Sequence, residues 1–166
     1  MKIYFVGMPG SGKSTLGRQV AAALNMAFVD LDTQIEARAG LAIKDIFSMY
    51  GEEHFRQLES QLLKEWADAE KSFVMATGGG APCFYNGIDV INQSGISIFL
   101  DVSVEELAKR VLSNQDRPLL LAADREDQVK RLTALHANRI AVYKMAKFIL
   151  SDATVGSVMK LLPTKE

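Results

Sequence analysis

Gly7-Met8-Pro9-Gly10-Ser11-Gly12-Lys13-Ser14 decides the fold. It follows the apolar run Ile3–Val6 and precedes Thr15–Leu24, a stretch of helical composition, so the order is strand, glycine-rich turn, helix. The spacing is G-x-x-x-x-G-K-[ST], and each part has a chemical reason. Glycines let successive backbone N–H groups turn toward a polyphosphate, and the helix N-terminus behind them adds partial positive charge. Lys13 is placed to bridge the terminal phosphates, and the Ser14 hydroxyl sits where Mg²⁺ joins them. Gly10, Ser11, Gly12, Lys13, Ser14 and Thr15 are therefore the expected nucleotide-binding residues.

Working outward, apolar runs of strand length recur at Ile3–Val6, Ala27–Val29, Phe73–Ala76, Ile96–Leu100 and Phe148–Leu150, separated by stretches long enough for helices. Continuous rather than alternating runs predict strands covered on both faces, that is, an α/β fold with a parallel sheet of about five strands between helical layers. Asp32 or Thr33 is expected to cap a helix that Gly40 ends, and Ser103-Val104-Glu105-Glu106 fits a capping box. Residues 125–147 contain no Gly or Pro and read as one long helix with Asp124 as its cap. The most loop-like interior segment, Ser113 to Asp124, is a candidate lid.

The chain of 166 residues is of single-domain length, and 19 Lys+Arg against 20 Asp+Glu with no block of like charges disfavours nucleic-acid and polybasic membrane binders. The longest apolar runs are five residues, Val20–Leu24 and Leu119–Ala123, too short to cross a bilayer. Only four apolar residues precede Gly7, fewer than a secretory segment needs, so a cytoplasmic protein is expected. Cys83 is the only cysteine, which excludes an intrachain disulfide and a cysteine-built metal site; it is expected to be a buried thiol. His54 is read as a helix-surface residue and His136 as packing.

The guanine-specifying Asn-Lys-x-Asp pattern is absent, which makes ATP the expected nucleotide. Beyond the phosphate loop, Asp30-Leu31-Asp32 ends the second apolar run, at the sheet edge where ligands collect in open α/β folds. Strand alternation would point the two carboxylates apart, one toward Mg²⁺ and one toward an acceptor hydroxyl. Asp101, after the fourth run, competes for the magnesium role. Gly51 reads as a helix start, and Arg56 and Glu59, three apart, share a helical face where a carboxylate can hold a guanidinium still. Thr77-Gly78-Gly79-Gly80 allows backbone to approach a ligand with no side chains in the way.

Together Gly7–Thr15, Asp30-Leu31-Asp32, Ile46-Phe47, Gly51-Glu52, Phe55-Arg56 with Glu59, Thr77–Gly80, Arg117-Pro118-Leu119-Leu120, and Arg139 with Tyr143 resemble the shikimate kinases nearly end to end. The glycine loop alone is widespread; the whole set in this order is specific. The resemblance implies a three-layer P-loop kinase fold with a mobile lid at 113–124, in one domain over 1–166 with an acceptor-binding region at 32–60. It implies ATP-dependent phosphorylation of shikimate to shikimate 3-phosphate, with Mg²⁺, on the way to chorismate and the aromatic amino acids. By the same resemblance Asp32, Arg56, Gly78, Gly79, Gly80 and Arg139 hold shikimate, the two arginines gripping its carboxylate. Asp30 then supports the Mg²⁺ shell, Arg110 lies near adenine, and Arg117 comes with the lid onto the phosphates. Lys13, Asp32 and Arg117 form the catalytic set, and a cytoplasmic monomer with no nucleic-acid or membrane partner is expected.

Elementary chemistry agrees with those roles, because an arginine fork matches a planar carboxylate and a cation arriving with a lid neutralises moving charge. Two positions depart from the family pattern. Ala141 stands where many members have Pro, and Ser151-Asp152-Ala153-Thr154 lacks an obvious cation for adenine, so no residue is assigned to that contact. Gluconate kinase is the nearest enzymatic rival, against which the glycine triplet and Asp-x-Asp argue. A regulatory module without transfer chemistry is the rival of another class, against which the presence of Lys13, Asp32 and Arg117 argues.

Overall fold

The computed structural model describes residues 1–111 and 125–163. The expected lid 113–124, Arg117 and the Asp124 cap lie outside the described residues. Strands β1 (Lys2–Val6), β2 (Ala27–Asp30), β3 (Phe73–Ala76), β4 (Ile96–Leu100) and β5 (Phe148–Leu150) form one five-stranded sheet in the order β2-β3-β1-β4-β5. Every pairing is parallel. Between the strands run α1 (Lys13–Leu24), α2 (Leu31–Ala39), α3 (Ile43–Asp68), α4 (Gly87–Ser94), α5 (Val104–Val111) and α6 (Arg125–Tyr143), with α7 (Val155–Met159) after β5. Among the described residues no helix is long and apolar enough to cross a membrane.

The alternation hidden in the continuous apolar runs divides them between two cores. Tyr4 and Val6 of β1, Phe73 and Met75 of β3, and Phe99 of β4 pack with Ile35, Leu62, Leu63, Leu132 and Tyr143 on one face. Ile3, Phe5, Val74, Ile98 and Leu100 point the other way, onto Leu16, Val20 and Val158 of α1 and α7. Two buried faces make three layers, as such uninterrupted strands require.

Four local expectations are corrected. Asp30, not Asp32 or Thr33, caps α2. Its extended backbone ends β2, and its Oδ1 accepts from the amides of Asp32 at 3.1 Å and Thr33 at 3.4 Å. Strand alternation therefore does not aim Asp32, which already lies in the first helical turn. The predicted helix 125–147 stops at Tyr143 and closes in tight turns, Met145 N–H on Val142 O and Ala146 N–H on Tyr143 O, because the chain must reverse to enter β5. Half of the expected capping box forms: Ser103 Oγ accepts from the Glu106 amide at 3.2 Å, while the Glu106 carboxylate pairs with Arg110. Gly40 ends α2 in a left-handed conformation, as expected. Gly51, at φ 84° and ψ 172°, breaks α3 into two helical segments, so the helix start expected there exists as a kink.

Candidate active site

The phosphate loop leaves the C-terminal end of β1, the central strand, with positive φ at Gly7, Gly10 and Gly12. Lys13 Nζ folds back over the loop and donates to the carbonyls of Gly7 and Met8, 2.8 Å each. Ser14 Oγ donates to Asp30 Oδ2 at 2.8 Å, joining the first helical turn of α1 to the end of β2. Asp101, the rival carboxylate, extends the sheet through its amide to Leu150 O. Ser11 Oγ is buried, the residue 5% exposed, with no hydrogen-bond partner among the described residues. It lines an open cavity of about 490 Å³ shared with Gly12, Thr15, Arg110 and Asp152 to Val155. Arg110 reaches the loop itself, donating to Gly10 O at 3.2 Å. A buried hydroxyl without a partner, in a cavity walled by a glycine loop and a helix N-terminus, suits an anionic phosphate.

Beside that loop stands the second turn. Thr77 extends β3 by one residue, its amide and hydroxyl both donating to Phe5 O at 3.1 and 3.0 Å, so Gly78–Gly80 emerges next to Gly7. The missing side chains of that turn show what converges on it. A Cβ at Gly78 would lie 2.7 Å from Glu59 Oε2 and 2.9 Å from Asp32 Oδ1. One at Gly79 would lie 3.0 Å from both Arg139 Nη1 and Pro9 Cδ, and one at Gly80 only 2.3 Å from Arg56 Nη1. Asp32 from α2, Arg56 from α3 and Arg139 from α6 therefore meet at one glycine turn. Tyr143, a turn beyond Arg139, stacks on Phe99 and donates its hydroxyl to Gly79 O at 2.5 Å.

The two arginines differ in their surroundings. Arg56, 3% exposed, donates to Glu59 Oε1 at 2.8 Å and also reaches Glu52 at 3.4 Å. Arg139, 6% exposed, has no carboxylate within ion-pair distance among the described residues. Glu59, 2% exposed, is pushed up to about 7: its burial outweighs the attraction of Arg56, and the Asp32 charge adds to the rise. Burial also raises Tyr143 and Cys83, with Arg139 and Arg56 opposing both shifts. The result is two buried arginines, buried Glu59 and half-buried Asp32 gathered around a glycine turn beside the phosphate loop.

The family model for shikimate kinase matches residues 9–161. The chain belongs to the shikimate kinase family. A shikimate kinase from Sulfurihydrogenibium sp. (strain YO3AOP1) is 40% identical over 165 residues, 98% of this chain and 96% of that protein. The Parabacteroides distasonis enzyme is 42% identical over 127 residues, 76% of this chain and 73% of its own. Among solved structures, shikimate kinase from Acinetobacter baumannii in complex with shikimate superposes with a TM-score of 0.89 at 32% identity, over 96% of this chain and 91% of that one. The Bacteroides thetaiotaomicron shikimate kinase gives 0.85 at 34% identity, over 96% and 94%.

Within this shikimate kinase fold, the predicted residues fall into two groups on adjacent strand ends. Gly10 to Thr15 lie on the phosphate loop and the start of α1, Ser11, Gly12, Thr15 and Arg110 lining the open cavity, with Asp30 on Ser14; Asp32, Arg56, Gly78 to Gly80 and Arg139 form the neighbouring cluster. His54 is exposed and His136 half-buried, as expected, whereas Cys83 is half-buried rather than enclosed. The cavity wall at Asp152–Val155 goes unassigned from sequence because Ser151–Thr154 offers no obvious cation for adenine, whereas Glu59 joins the cluster at the spacing from Arg56 that the sequence announces.

Proposed function

We propose that this enzyme, an ATP-dependent shikimate kinase, holds its two substrates at neighbouring strand ends and works by positioning and charge neutralisation. Phosphoryl passes from ATP to the 3-hydroxyl of shikimate, giving shikimate 3-phosphate and ADP. The observation that carries this reading is the convergence of Asp32, Arg56 and Arg139 on Gly78–Gly80, directly beside the phosphate loop. A carboxylate-bearing polyol fits that pocket: the arginines take its carboxylate and Asp32 takes its hydroxyls.

Lys13 exchanges the carbonyls of Gly7 and Met8 for the β- and γ-phosphates, with the ammonium beside the charge that grows during transfer. Asp32 orients the acceptor hydroxyl and stands ready to accept its proton. The glycine turn brings acceptor and donor together without intervening side chains, which favours in-line attack. Ser14 Oγ and Asp30 Oδ2, 2.8 Å apart, are the hard oxygen donors that Mg²⁺ takes, so the residues fit that ion. When bound with ATP, Mg²⁺ neutralises the phosphate charge. Arg110, which lines the cavity and reaches Gly10 O, is assigned to adenine by the family resemblance, and Arg117 to the phosphates by its Arg-Pro-Leu-Leu motif alone.

A coupled assay of ADP release with shikimate, gluconate, nucleoside monophosphates and no acceptor tests the reading. Turnover is expected with shikimate only; equal turnover with gluconate, or release independent of any acceptor, would overturn it.

A further inference from the structure

Arg56 is held from outside its own helix by a loop that the mechanism above does not use. Residues 81–87 follow the glycine turn and are tightly tied: Ala81 N–H donates to Gly78 O at 3.1 Å, Cys83 N–H to Gly80 O at 2.9 Å, and Gly87 N–H to Phe84 O at 2.9 Å. Two consecutive side-chain-bearing residues, Tyr85 at φ 50° and Asn86 at φ 57°, adopt left-handed backbone. Gly87 passes so close that a Cβ there would lie 1.9 Å from Ala81 O. Conformations this unfavourable persist where the surroundings over-determine them. The loop grips α3 in two places. Tyr85 donates its hydroxyl to Glu53, and the Phe84 ring lies 4.3 Å from Arg56 Cζ, nearer than the 5.1 Å of Phe55 on the same helix as Arg56.

The Phe84 and Phe55 rings thus crowd the guanidinium with carbon. A Cβ at Gly80 would lie 2.3, 2.6 and 2.7 Å from Nη1, Cζ and Nη2, so the Gly80 backbone also passes close against the guanidinium. Glu59 and Glu52 take N–H groups on the edge but leave others there. We infer that Phe84 is a positioning residue for the acceptor: its ring fixes the plane of Arg56 so that the remaining edge N–H groups face the incoming carboxylate. This inference rests on the acceptor reading of the pocket given above. An aromatic ring attracts a guanidinium most strongly where water is excluded, and a fixed fork loses less freedom on binding.

The test uses Phe84→Leu and Phe84→Met, which keep apolar bulk without a ring, Phe84→Tyr, which keeps the ring, and Arg56→Lys, which keeps the charge without the planar fork. Loss of the ring should raise the KM for shikimate roughly 3- to 30-fold, with kcat and the KM for ATP within about twofold of the parent. Phe84→Tyr should stay near the parent, and the double variant Phe84→Leu/Arg56→Lys should lose less than the product of the singles. Binding of the carboxamide analogue of shikimate, which lacks the anion, should be insensitive to Phe84→Leu. An unchanged shikimate KM in folded Phe84→Leu or Phe84→Met would overturn the inference, as would equal loss for acid and carboxamide. If Arg56→Lys also leaves the shikimate KM unchanged, the acceptor reading of Arg56 falls with it; if Arg56→Lys alone damages binding, only the role of Phe84 fails.

Discussion

Arg56 and Arg139 offer the same fork to the same pocket, yet their removal should cost the protein different things. Above about pH 7, where Glu59 is ionised, truncating Arg56 strands a buried carboxylate without its partner, which typically costs about 3–5 kcal/mol of stability. Arg139, with no carboxylate partner among the described residues, leaves none stranded. Urea unfolding should therefore show Arg56→Ala much less stable than Arg139→Ala, and Arg56→Ala/Glu59→Gln should regain most of the loss. Calorimetry should show all three variants binding shikimate at least ~25-fold more weakly, since restored stability does not restore the fork; recovery of affinity in the double variant would contradict the assignment. Glu59 also makes stability depend on pH. Folded, it keeps its proton up to about 7 against an ordinary 4.5, so between those values the folded state binds more protons and stability falls as pH rises. The fall amounts to about 3 kcal/mol and is complete above the folded value. Unfolding of the parent and of Glu59→Gln at pH 5 and pH 8 should show the variant gaining on the parent at the higher pH, and parallel profiles would refute the shift.

At the scale of elements, α3 bends at a residue for which only glycine is suited. Gly51 has open space around the position of a Cβ, so crowding is not the issue; its φ of 84° with ψ of 172° is. That region is essentially reserved for glycine, and Gly51→Ala should cost roughly 1–3 kcal/mol in chemical denaturation although it touches nothing. Equal stability would mean that the two segments of α3 can realign without the kink. The sequence announced this break, because a glycine followed by Glu52-Glu53 reads as a helix start. It announced the strands as well, since runs such as Ile3–Val6 serve two cores at once. Caps were less legible. Asp30, Asp32 and Thr33 all satisfy the capping rule, and the choice depends on where β2 stops pairing, at Asp30 opposite Ala76, which is a property of the sheet. Within the site, Glu59 could be read from its spacing to Arg56, whereas Phe84 reaches Arg56 from another element and Asp152–Val155 form a wall by shape alone.

At the scale of the whole molecule, strand order sets the phosphate loop beside the glycine turn. With β1 paired to β3, the phosphate loop and the glycine turn leave the same end of adjacent strands, and Thr77 ties both to Phe5 O. The two turns meet at Gly79, where a side chain would press on Pro9 of the phosphate loop and on Arg139, each at 3.0 Å. Backbone at both sides is already anchored, by the Tyr143 hydroxyl on Gly79 O and by the Ser11 amide on Met8 O at 3.2 Å. An added methyl has little room to be absorbed locally, and overpacking of this kind typically costs about 1–3 kcal/mol. If Arg139 holds the acceptor as proposed, Gly79→Ala should weaken both ligands and Arg139→Ala the acceptor alone. The measurement is paired titration of each variant with shikimate and with a non-hydrolysable ATP analogue. Gly79→Ala is expected to lose about five-fold or more for each ligand and Arg139→Ala for shikimate only. If Gly79→Ala spares the nucleotide, the phosphate loop yields independently of the acceptor pocket, and the coupling read from the contact between Pro9 and Gly79 is absent.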